Sequence, residues 1–164
     1  MIAFDPAKYG PAVAALLAEP RLASLGPGLP VLAVRSQLDT VALPPLCRAG
    51  LYLYFDFLDE SHRISQDHEE PDGNFWHAIM HRREPDPSNS KYWWRAVGPH
   101  PVLSQLVEST TAVGYAYTTP YDFVDFCERV RGRGGEDEER AKRVQLLEWE
   151  LLFDWCFRAA IGEG

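Results

Sequence analysis

The chain has 164 residues, 46% hydrophobic and 24% charged, with 24 acidic side chains against 16 basic ones and a formal net charge of −8. That length predicts one domain with a substantial core. The acidic balance argues against a dedicated nucleic-acid binder and against docking on an anionic membrane surface.

No run of about 18 uncharged apolar residues is present, so no membrane span is expected. The first residues carry Asp5 early and lack a basic-then-apolar pattern, which predicts no secretory leader. Cys47, Cys127 and Cys156 are odd in number and show no CxxC spacing. Buried reduced thiols and a cytoplasmic location are the expectation.

In chain order, Asp5-Pro6 predicts a capped helix start, with Val13, Leu16 and Leu17 at helical spacing until Pro20. Residues 21–45 are rich in proline and glycine and read as a wrapping loop with at most a short helical turn. From Pro45 to Gln66 the spacing predicts one helix, with Leu51, Phe55, Leu58 and His62 on a single face. A polar loop, 67–73, follows. Asp72 is the expected N-cap of a helix over Asn74–Glu84. Residues 85–90 break that helix, and Ser88 or Asn89 should cap the next, Lys91–Val97.

Pro101 opens a short helix to Ser109. Residues 111–118 are a short strand or an extended connector. Thr119-Pro120 with Asp122 starts a helix to Val130, and an acidic first turn opens a last helix over 136–161. The expected fold is all-α, a single-domain helical bundle of six or seven helices with a long C-terminal helix.

All five histidines fall between His62 and His100, together with Trp76, Trp93 and Trp94. Histidine ligates metals and moves protons near neutrality, so chemistry is expected here. His77 and His81 are four apart, and Glu84 follows three later, placing two imidazoles and a carboxylate on one helical stripe. Two histidines at this spacing are the geometry by which zinc proteases hold two metal ligands. Ala78, however, stands where the protease base would be glutamate, which excludes that activity. A metal held by His77 and His81 would take a third ligand from His62, His68 or a carboxylate. His68 and His100 are otherwise expected to be positional or exposed. A nucleophilic pairing of Ser65 with His62 has only sequence proximity behind it, and no GxSxG turn is present.

Arg82, Arg83, Lys91 and Arg95 form a basic stretch beside Asn89 and Ser90 at an expected helix N-terminus. They suit an anionic small molecule. The same arginines could instead pair with Glu84, Asp86 and acids of other helices. In the last helix Glu148, Glu150 and Asp154 lie among Trp149, Leu152, Phe153 and Cys156. At least one should be buried and paired with a cation of the central window. Of Tyr92, Trp93 and Trp94, at least two should pack in the core.

The segment SHRISQ followed by WHAIMHRREPDPSNSKYWWRAVGPHP resembles a family of uncharacterised bacterial and fungal proteins. Their recurrent string is W-H-[AG]-I-M-H-R-R-E-x-D-x-x-N-[AS]-K-Y-W, and the match covers roughly residues 61 to 102. The resemblance implies that His62, Ser65, Gln66, His77, His81, Arg82, Arg83, Glu84, Asp86, Asn89, Lys91 and Tyr92 act as a unit, and implies no activity.

The expectation is therefore a site for a polar or anionic small molecule, with metal-assisted or acid–base hydrolysis as the reaction class. His62, His77, His81 and Glu84 would be the catalytic set, and His77 and His81 the ligands of a divalent metal. Ser65, Gln66, Arg82, Arg83, Asn89, Lys91 and Arg95 would bind the ligand. The alternative is a non-enzymatic binding or interaction protein whose His/Arg network is structural.

Overall fold

The computed structural model describes residues 4–163, which contain nine α-helices, short 3-10 turns and no strand. The helices are α1 (Pro11–Leu16), α2 (Arg35–Thr40), α3 (Pro45–Tyr54), α4 (Leu58–Ser65), α5 (Pro71–Arg83), α6 (Pro87–Val97), α7 (Pro101–Ser109), α8 (Pro120–Val130) and α9 (Gly135–Ile161). No helix among the described residues is long and apolar enough to cross a membrane. Cys47, Cys127 and Cys156 are buried free thiols.

Six of these helices, α1, α3, α5, α6, α7 and α8, carry proline in their first turn. The missing N–H costs nothing there, and the fixed φ suits a helix start. Three of these prolines overturn expected boundaries. Pro11 begins α1 after a separate 3-10 turn, Pro6–Tyr9, so no continuous helix runs from Asp5. Pro71 begins α5 three residues early, which puts Asp72 inside the first turn rather than at the cap. Pro87 begins α6, and the cap is Asp86, whose carboxylate accepts from the Asn89 N–H at 3.0 Å. Neither Ser88 nor Asn89 is the cap. The Thr119 cap of α8 is as expected, its Oγ1 accepting from the Asp122 N–H.

The helix count exceeds expectation for two reasons. Part of the expected loop folds into α2, and the expected helix over 45–66 is two helices. The break is at Asp56, which sits at φ 67°. The Phe57 N–H donates to the Tyr52 carbonyl and the Asp56 N–H to that of Leu53, a Schellman closure with aspartate where glycine is usual. Aspartate tolerates this conformation better than most residues, and here its carboxylate is held on both sides. One oxygen accepts from Arg83 at 2.5 Å and the other from Arg21 at 2.8 Å. Gly28 packs so closely against that carboxylate that a Cβ would lie 2.5 Å from Asp56 Cγ.

Residues 111–118 complete a 3-10 turn, Thr110–Val113, and then run as a connector that forms no strand. Helix α9, 27 residues and about 40 Å long, packs against α3, α7 and α8. Its Trp149 and Phe153 rings stack at 4.9 Å in the core.

Helix α5 is the central element, packed against α3, α4 and α6. Every residue from Gly73 to Arg83 is buried. A helix enclosed on all sides must find internal partners for each polar side chain it carries.

Candidate functional site

Six such buried side chains lie on α5, and four are partnered. The Asn74 carboxamide donates to the Glu69 carbonyl at 2.9 Å. Arg82, wholly buried, forks onto Glu148 at 3.1 and 2.6 Å and reaches Gln145 at 3.3 Å. Arg83 bonds Asp56 and the carbonyls of Gly26 and Leu53. His81 Nδ1 faces Glu84 Oε2 at 2.9 Å. Two are not: Trp76, whose indole Nε1 has no partner, and His77, 3% exposed, neither of whose ring nitrogens has a hydrogen-bond partner among the described residues. An unmet buried polar group costs about 1–3 kcal/mol, so this imidazole calls for an explanation.

Its neighbours supply one. The ring centroid of His62, on α4, is 4.7 Å from that of His77 and 5.4 Å from that of His81. His77 and His81, one turn apart on α5, stack at 4.9 Å. One ring nitrogen from each of the three lies within 4.8 Å of the others. Donors on one tetrahedral ion at about 2.1 Å would be about 3.4 Å apart, so the three could hold one ion only after their side chains move closer together. Of the possible third ligands, His62 is the one brought to the pair. His68 is turned away onto Glu70 at 2.7 Å.

Burial is the main force on these groups. It pushes the His77 pKa down to about 3, helped by the nearby His81 and His62. It also lowers that of His81, against the opposing pull of Glu84. A neutral imidazole with a free lone pair is the form that ligates a metal. With its Nδ1–H given to Glu84, His81 keeps its lone pair on Nε2, and a carboxylate behind a histidine is an arrangement common around bound metals.

The turn between α5 and α6 brings in the remaining walls. The Asp86 N–H closes on the His81 carbonyl at 3.0 Å, folding α6 back along α5. Asn89 then sits over His81, its amide nitrogen 3.2 and 3.3 Å from the two ring nitrogens. Trp93 stacks on His77 with centroids 3.8 Å apart. Trp94 is buried and Trp93 half-buried against the core, whereas Tyr92 is 56% exposed.

The expected basic cradle is not assembled at the histidines. Arg82 and Arg83 are committed to Glu148 and Asp56. Lys91 pairs with Asp125 of α8 at 2.6 Å, and Arg95 is exposed beside the Tyr92 ring. Ser65 is buried with its hydroxyl on the His62 carbonyl at 3.3 Å, and Gln66 is exposed at the end of α4. His100, buried rather than exposed, caps α7 through Nδ1 and meets Asp72 through Nε2 at 2.8 Å. Comparison with known proteins finds no matching family model, no matching curated protein and no matching solved structure.

Proposed function

We propose that His62, His77 and His81 hold a divalent metal ion, and that the centre performs metal-assisted hydrolysis of a polar small molecule. The observation that carries this reading is that one ring nitrogen from each of three imidazoles comes within 4.8 Å of the others, at a histidine whose nitrogens are otherwise unmet. Three neutral nitrogen ligands suit zinc, nickel, copper or iron, and leave positions for water and substrate. An ion held by His62, His77 and His81 would supply Lewis acidity and lower the pKa of a bound water toward neutrality. His62 alone of the three is incompletely buried, so access is from its side. An ion held by neutral ligands keeps its charge, and in this reading that charge, not the arginines, attracts an anionic substrate.

Purification without chelators, elemental analysis and calorimetric titration with zinc test the centre. The expected result is one ion per chain, lost in His77→Ala. No stoichiometric metal and no saturable zinc binding would sink the reading. A second reading, a rigid polar network with no ion, is favoured by the His81–Glu84 bond and the stacking of Trp93. It leaves His77 unexplained.

A further inference from the structure

A second concave region shares no lining residue with the histidine site. It is a groove of about 440 Å³ between the N-terminal turns and α9, walled by Phe4, Leu17, Tyr54, Leu146 and Trp149, with Glu150 at its edge. The aromatic walls are mutually set. Phe4 meets Trp149 edge-on at 5.6 Å, and Tyr54 lies 4.8 Å from Trp149. Glu150 makes no hydrogen bond or ion pair among the described residues, unlike Glu148 and Asp154 of the same helix.

We propose that this groove binds an organic ammonium, a positively charged nitrogen on an apolar body, with Glu150 opposite the charge and the three aromatic rings around it. Three observations carry the assignment. The walls are apolar and aromatic, and aromatic faces attract cations as well as burying hydrocarbon. Among the described residues, the single charged group lining the groove is a carboxylate with no ion-pair partner, which sets the sign of the complementary ligand. Desolvation alone raises that carboxyl to about 7, so the site gains from a cation that restores its charge. Apolar pockets with one perturbed titratable group are where small-molecule binding is expected.

The test uses benzyltrimethylammonium, whose charge cannot titrate, and its uncharged tert-butyl counterpart, followed by NMR chemical shifts of the whole protein at neutral pH. The expected result is saturable shifts at Trp149, Tyr54 and Leu17, with the ammonium bound at least about tenfold more tightly than the neutral compound. In Glu150→Gln, a fold-neutral change, that preference should vanish. No saturable shift in the groove up to about 10 mM probe overturns the proposal. So does equal binding of both compounds, or a preference that survives Glu150→Gln.

Discussion

The Trp93 indole lies flat on the His77 imidazole, with centroids 3.8 Å apart and planes 18° from parallel. The His81 imidazole also lies nearly parallel to the His77 ring, with centroids 4.9 Å apart, while the His62 ring meets it edge to face at 4.7 Å. A core imidazole kept only for packing would be expected to find a hydrogen bond. His77 is instead held by its face and left unmet at its edge.

If that edge is a ligand, the carboxylate behind its neighbour matters too. Glu84→Gln should weaken zinc binding by about 10–100-fold while leaving the ion bound at higher concentration, because outer partners orient ligands without replacing them. His77→Ala should abolish stoichiometric binding. Calorimetry on the two variants separates the roles.

Asn89 should behave in the opposite sense. With Nδ1 of His81 donating to Glu84, the lone pair that Asn89 can reach is on Nε2. An ion would take that same lone pair. Asn89→Ala is therefore expected to leave zinc affinity unchanged or raise it, and a fall measured by the same titration would make Asn89 part of the binding set.

The metal-free protein should lose stability in acid through this cluster. Burial holds His77 at about 3, against 6.5 for the ordinary side chain. Between those values the unfolded chain binds more protons than the folded one. The contribution is therefore complete above pH 6.5 and disappears as pH falls toward 3. His81, shifted in the same direction, adds to the slope. With chelator present, the urea midpoint of the wild type should drop more steeply from pH 7 to pH 4 than that of His77→Phe.

The Arg82–Glu148 pair is wholly buried. Glu148→Ala leaves an uncompensated guanidinium and should cost about 3–5 kcal/mol, whereas replacing both partners, Arg82→Met with Glu148→Leu, should recover most of it. Chemical denaturation of the three proteins measures both.

Two glycine substitutions separate backbone strain from collision. Gly28 and Gly98 both have positive φ, 69° and 64°, but a Cβ would strike Asp56 at Gly28 and meet nothing within 4 Å at Gly98. Gly98 sits at φ 64°, ψ −153°, so Gly98→Ala should lose about 1–3 kcal/mol from backbone strain alone, and Gly28→Ala clearly more. Equal losses in urea denaturation would remove the steric role assigned to Asp56.

Local signals in the sequence were legible where they act locally. The Thr119 cap, the start at Pro45 and the long last helix follow from residues within a turn of one another. The Asp86-Pro87 start of α6 carries the same signal as Asp5-Pro6, yet the hydroxyl and amide residues at 88–90 compete with it as caps in the sequence. The break at Asp56 is illegible locally. Nothing in LYFDFLD announces a left-handed aspartate, because what supports it comes from Arg21, Gly28 and Arg83. The i, i+4 stripe brings His77 and His81 together. His62 joins them on a separate helix, α4, not on the continuous face from Leu51 that one long helix would create. The arginines could not be assigned because their partners, Glu148 and Asp56, lie 66 and 27 residues away.

The Asp56–Arg83 bond has a reach beyond its own surroundings. Asp56 stands just ahead of the helix that carries His62, and Arg83 stands two residues after His81. The bond therefore works as a cross-brace, pinning one end of α4 to one end of α5 and fixing the spacing at which the imidazoles face each other. The tolerance of the three-histidine centre is thus set by a pair whose hydrogen bonds go elsewhere, and the dimensions of the cluster are inherited from the joint that holds two helices in register.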